Sequence, residues 1–144
     1  MIETFARIYP FDSSPEGLEA RQLALSNPEG YVLKPQREGG GNNIYRSSIP
    51  PFLKSLPDES HYNAYILMEL IRPPPLSNMI IREGKVVSGG VVGELGVYGT
   101  ILWDTDGKVL SNEQAGWLLR TKTKGVDEGG VAAGFGSVDS VCLV

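Results

Sequence analysis

The stretch Lys34-Pro-Gln-Arg-Glu-Gly-Gly-Gly-Asn-Asn43 holds most of the chemistry legible in this sequence. Its consecutive glycines Gly39, Gly40 and Gly41 carry no Cβ, so backbone N–H groups can close on an anion and positive φ is available at each. Lys34 and Arg37 add positive charge, and Glu38 adds a hard carboxylate oxygen. Amide donors, cations and one carboxylate are together what a phosphate group with a divalent cation requires. A plain flexible hairpin loop is the competing reading of the same residues. The two usual phosphate loops are absent: there is no G-x-x-x-x-G-K-[ST], and the run from Gly39 to Ile44 does not fit G-x-G-x-x-G.

Further along the chain, Glu69 and Glu94 each interrupt an apolar strand-like segment. A carboxylate there must be paired, hydrogen-bonded or turned to solvent. Arg120 and Lys122 stand two residues apart, on one face of a strand, where they suit an anionic ligand or a solvated edge equally well. A second glycine-rich stretch, Asp127 to Gly136, holds small side chains from Gly129 to Gly134 and suits a lid over a small substrate, or a plain loop. His61 has no second His or Cys near it in sequence, and Cys142 lies in an apolar tail. Neither is assigned catalysis or a metal.

The elements that must position these residues follow from the pattern. Pro15 to Ser26 is a helix capped by Ser14, with Leu18, Leu23 and Leu25 as its apolar side and Asn27-Pro28 as its stop. Tyr31 to Leu33 is a strand, Lys34 to Asn43 a loop, and Ser48 to Leu56 a short helix. Ala64 to Leu70 is a strand closed by Arg72 and the proline run Pro73 to Pro75, a stiff extended linker. Asn78 to Arg82, Val86 to Trp103 and Val109 to Lys122 are strands joined by turns at Glu83-Gly84 and Asp106-Gly107. The expected class is α+β, mostly antiparallel sheet with one or two helices, over residues 1–144 read as a single portion.

Composition sets bounds. The chain has 144 residues, 41% apolar and 21% charged, ordinary for a globular protein. A net charge of −4 points to neither nucleic acid nor an anionic membrane surface as partner. One cysteine allows no internal disulfide, and no secretory pattern or bilayer-length apolar run is present, so a cytosolic location is expected.

Taken in order, several blocks resemble the eukaryotic glutathione synthetases: Lys34 to Asn43, Tyr65-Ile-Leu-Met-Glu69, Glu94-Leu-Gly96, Leu119-Arg-Thr-Lys122 and Gly129-Gly-Val-Ala-Ala-Gly134. The resemblance implies an ATP-grasp fold, in which two antiparallel sheets hold the nucleotide, with ATP and Mg²⁺ as cofactors. The implied reaction phosphorylates the C-terminal carboxylate of γ-glutamylcysteine to an acyl phosphate, which the glycine amine then attacks. Residue by residue, the resemblance gives Lys34, Gly39, Gly40, Gly41, Asn42, Asn43, Tyr45, Met68, Glu69, Glu94, Lys122 and Glu128 to ATP. It gives Glu38 to Mg²⁺, Arg120 to a substrate carboxylate with a catalytic part, and Val131 and Ala132 to the substrate.

Family members are much longer, so the chain resembles their C-terminal stretch and is incomplete relative to them. The remaining metal ligands and most of the dipeptide site would lie elsewhere, and full activity is not expected of this polypeptide alone. Homodimerisation is implied for the whole enzyme. Two alternatives share the motifs: a non-catalytic nucleotide-binding module, and another ATP-grasp carboxylate–amine ligase. If isolated, the strands around Ile66 and Val91 are expected to expose an apolar patch.

Overall fold

A computed structural model describes residues 4–37, 41–82, 84–131, 134 and 136–141. Glu38, Gly39, Gly40, Ala132 and Cys142 therefore lie outside the described residues. The chain divides into two compact units, Met1–Arg72 and Pro73–Val144, with the division at the start of the proline run.

In the first unit, strands β1 (Ile8–Pro10), β2 (Tyr31–Pro35), β3 (Ile44–Tyr45) and β4 (Tyr65–Glu69) form an antiparallel sheet ordered β1-β4-β2-β3. Helices α1 (Pro15–Ser26) and α2 (Ile49–Ser55) accompany it. Helix α1 starts where its sequence dictates. Ser14 is extended, its Oγ accepts from Gly17 N at 3.1 Å, and Pro15 fills the first turn, where its missing N–H costs nothing. The Asp12 carboxylate accepts in turn from Ser14 N at 2.9 Å. Its hydrogen bond from the Ser14 hydroxyl holds the Asp12 carboxyl below its ordinary value.

The buried side of α1 corrects the expectation from its leucines. Gly17, Ala20 and Ala24 are the buried residues, while Leu18 and Leu25 are each 54% exposed and Leu23 only skirts the core. Spacing of three and four selects that stripe, and its small side chains let the helix backbone come close. At Gly17 the approach is complete, because a Cβ there would collide with the Asp12 carbonyl. The largest fully buried side chains of the core are Phe11, Leu33, Ile49 and Leu67, with Leu33 and Leu67 opposite each other in the β2–β4 ladder. Each buried leucine contributes about 1.5–3 kcal/mol. Strand β2 also runs further than Leu33. Lys34 pairs with Ile66 and Pro35 with Tyr65, so Lys34 is fixed in a ladder rather than held in a loop.

The second unit is one antiparallel sheet ordered β5-β6-β7-β8, made of β5 (Leu76–Arg82), β6 (Lys85–Trp103), β7 (Val109–Thr123) and β8 (Ser137–Asp139). The β6–β7 turn forms as its sequence requires. Gly107 has φ of 81°, and the Asp104 carboxylate accepts from Asp106 N at 3.0 Å and Lys108 N at 2.9 Å. One face of the sheet carries the buried residues Ile80, Val91 and Thr121. The two ends of the strand order meet, because Asn78 Nδ2 on β5 donates to Asp139 Oδ2 on β8 at 2.7 Å.

Val91, expected in an exposed patch, is only 3% exposed. The exposure lies instead further along the β6–β7 hairpin, where Val97, Trp103 and Trp117 are each more than half exposed. Among the described residues, the hairpin there has only two strands, and nothing within the unit stacks on it.

Candidate functional site

Period-two alternation sorts the singled-out residues of each unit onto faces. In the first unit the register places Val32, Met68 and Tyr45 together, and Lys34 with Ile66, on the face opposite the helix-packed core. Lys34, Tyr45 and Met68, from three different strands, thus share one surface. Asn43 Nδ2 donates to the Tyr45 hydroxyl at 3.3 Å, which holds the end of the glycine-rich loop against that surface. Gly41 has φ of 86°, a left-handed bend that glycine takes without strain. Asn42 is exposed beside it. Among the described residues, the half-buried Lys34 ammonium has no hydrogen-bond or ion-pair partner. A cation in that state is the group an incoming phosphate would engage.

Glu69 lies on the other face. It is opposite Tyr31, and its carboxylate accepts from Arg7 N at 3.4 Å. The Glu69 side chain and the Lys34–Met68 surface are therefore separated by the thickness of the sheet. Arg46, which the sequence reading passed over, has φ of 48°, a left-handed conformation rare for a non-glycine residue and worth about 1 kcal/mol of strain or more. Its guanidinium carbon stands 6.0 Å from the centre of the Tyr45 ring.

In the second unit a compact charge cluster forms. Glu94 on β6 is the register partner of Arg120 on β7, and Lys122 is two residues on, on the same face. Arg120 Nη2 stands 3.1 Å from Glu94 Oε2, and Lys122 Nζ stands 3.0 Å from Glu94 Oε1. One carboxylate thus holds two cations, and the cluster carries a surplus positive charge. Lys122 Nζ also donates to the Asp127 carbonyl at 3.1 Å, tying the second glycine-rich loop to the cluster. Gly129 lies against the Glu94 carboxylate so closely that a Cβ there would stand 3.0 Å from Oε2. Glu128 and Val131 are half-buried in the same loop. The site is open to an incoming anion, since the Arg120 side chain is 44% exposed.

Sequence reasoning anticipated Glu94, Arg120 and Lys122 but not that Glu94 bridges the two cations. It also missed Thr121, which is 2% exposed and donates from Oγ1 to Asp139 Oδ2 at 2.9 Å. The signal was present: a hydroxyl residue between two face-sharing cations must point to the opposite face, and Asp139 is a lone carboxylate in an apolar tail.

Comparison with known proteins gives the chain a family. Residues 1–143 match the family described as "Eukaryotic glutathione synthase, ATP binding domain". The chain is 46% identical over 142 residues to the glutathione synthetase large chain of Schizosaccharomyces pombe, covering 97% of this chain and 28% of that one. It is 43% identical to the glutathione synthetase of Xenopus laevis, covering 99% of this chain and 30% of that one. The human glutathione synthetase is also 43% identical, over 95% of this chain and 29% of its own length. Among solved structures, a glutathione synthetase-like effector from Globodera pallida in its apo form superposes with a TM-score of 0.63 at 22% identity, covering 94% of this chain and 26% of that one. That likeness concerns the fold, which is α+β with two antiparallel sheets and ATP-grasp-like. The chain spans less than a third of the curated relatives it matches. By the family match over nearly its whole length, the chain belongs to the eukaryotic glutathione synthases, of which it carries the ATP-binding domain.

Proposed function

We propose that this chain supplies the nucleotide-binding part of an ATP-dependent ligase that joins γ-glutamylcysteine to glycine, with both units belonging to one ATP-grasp portion. The observation that carries the reading is the Glu94–Arg120–Lys122 cluster, which lies within the family-matched residues 1–143. A carboxylate is a poor electrophile, and ATP supplies the leaving group that makes it reactive. The protein's part is to position reactants and neutralise phosphate charge.

In this reading Lys34 and Lys122 engage phosphate oxygens. The loop amides from Gly39 to Asn43 cover them, and Tyr45 and Met68 pack the base, with Glu69 contributing its strand. Glu94 and Glu128 border the nucleotide. Arg120 orients a substrate carboxylate and neutralises charge as it is phosphorylated, under a loop that includes Val131 and Ala132.

Mg²⁺ is expected to accompany ATP and to screen its phosphates. Among the described residues, no three His, Cys, Asp or Glu side chains converge on a common point. An ion held by one or two carboxylates plus phosphate oxygens and water needs no such cluster, and Glu38, outside the described residues, is the proposed protein ligand. A cytosolic, homodimeric whole enzyme is part of the same proposal. Among the described residues, no helix is long and apolar enough to cross a membrane.

The test is turnover. With γ-glutamylcysteine, glycine and ATP·Mg²⁺, a polypeptide that includes this chain and the remainder seen in its relatives is expected to form glutathione and phosphate in equal amounts. Phosphate release without peptide formation would contradict the proposal. The chain alone is expected to bind ATP without turning over.

A further inference from the structure

Asp139 takes no part in the site as assigned, yet it gathers more bonds than its neighbours. Its Oδ2 accepts from Asn78 Nδ2 at 2.7 Å and from Thr121 Oγ1 at 2.9 Å, and its Oδ1 accepts from Ser140 N at 2.8 Å. Asn78 belongs to β5 and Thr121 to β7, so one carboxylate joins the first, third and last strands of the sheet. Thr121 is buried, and its chain neighbours Arg120 and Lys122 are the cations of the opposite face.

The connection continues along the backbone. Just before β8, Gly136 packs so tightly that a Cβ would stand 3.0 Å from the Gly129 carbonyl oxygen and 3.3 Å from that of Thr121. Gly129 in turn lies against the Glu94 carboxylate. Gly136 thus lies beside Gly129, and Gly129 beside the carboxylate that holds both cations, with too little room at either for an added methyl group.

We propose that Asp139 is a positioning residue for the anion site: its bonds to Asn78 and Thr121 fix β8, and β8 seats the loop from Val126 to Val131 on Glu94. The functional part of this inference rests on the nucleotide-binding reading above; the structural part does not. Charged hydrogen bonds of this kind are the stronger ones, and close packing with no room for a methyl group passes displacement on.

The test uses the 144-residue chain. Asp139→Asn keeps the shape but sets an N–H₂ group against a donor in either orientation of the amide. Asn78→Asp sets two carboxylates together. Each is expected to speed amide exchange across 126–131 about tenfold relative to the paired part of β6 and β7. The double variant Asn78→Asp/Asp139→Asn restores a donor–acceptor pair with roles exchanged and is expected to recover most of the protection. Gly136→Ala, which displaces Gly129 directly, should act like the single variants. In each, ATP·Mg²⁺ affinity should fall in proportion to the loss of loop protection and return in the double variant.

Uniform acceleration of exchange across the whole unit, or unchanged exchange at 126–131, would overturn the proposal. So would loop loosening that leaves ATP affinity intact. A parent chain that shows the exchange pattern but binds no ATP leaves the clasp standing and overturns its role in positioning the site, together with the nucleotide-binding reading.

Discussion

Glu94 and Arg120 are direct partners across the β6–β7 ladder, and their side chains meet at 3.1 Å on the face that also carries Lys122. Both partners are partly exposed, 34% for Glu94 and 44% for Arg120, so the pair is a weak structural brace, worth about 0.2–1 kcal/mol. Glu94→Gln is therefore expected to shift the urea midpoint only slightly while weakening ATP·Mg²⁺ binding about tenfold or more, because both cations lose the group that orients them. A large stability loss with unchanged affinity would show a purely structural role.

Two glycines should respond to alanine in opposite ways. At Gly17 the added methyl meets the Asp12 backbone, which cannot swing aside, so Gly17→Ala is expected to cost about 1–3 kcal/mol on denaturation. At Gly129 the nearest atoms are the end of the Glu94 side chain, 3.0 Å away, which can rotate. Gly129→Ala should leave stability within about 1 kcal/mol of the parent and instead disturb the charge cluster, seen as weaker nucleotide binding.

Acid should undo part of the first unit through two hydrogen-bonded carboxylates, Asp12 and Asp58. Asp12 is held below its ordinary value of 3.8 by the Ser14 hydroxyl, and Asp58 below the same value by that of Ser60. A carboxylate whose folded value is depressed adds stability that is fully present above 3.8 and is lost as pH falls through the lower folded value. Ser14→Ala removes the principal cause of the Asp12 shift and should flatten the acid limb of stability measured by urea unfolding from neutral pH downward. An acid limb of unchanged slope would count against that assignment.

The β6–β7 hairpin should make the isolated chain self-associate. Leu95, Val97 and Trp117 share one face and are 56%, 67% and 54% exposed. Val97→Thr combined with Trp117→Thr keeps strand-forming residues in place and is expected to lower the apparent mass in sedimentation velocity, as removal of an exposed apolar patch requires.

Much of this fold was legible because its signals were local. Ser14, Pro15 and Asn27-Pro28 delimit α1 to the residue, and Asp104 with Gly107 forms the β6–β7 turn the sequence calls for. The buried side of α1 was not legible, since leucines outweigh Gly17, Ala20 and Ala24 until the tight approach at Asp12 is known. Lys34 read as loop because charge and neighbouring glycines mask its place in the β2 ladder.

The site divides in the same way. Arg120 and Lys122 follow from period two, but their common partner Glu94 depends on a register between strands that no local pattern encodes. The Asn78–Asp139–Thr121 clasp joins residues far apart in sequence and surfaced only with the sheet order.

The central claim is that Lys34 and Lys122 each take part in nucleotide binding. Calorimetric titration of the chain with ATP·Mg²⁺, repeated with Lys34→Ala and Lys122→Ala, tests it most directly. Saturable binding is expected, weakened about tenfold or more by either substitution, as loss of a charge-assisted phosphate contact requires. Binding that survives both substitutions undiminished, or no saturable binding by a folded chain, would contradict it.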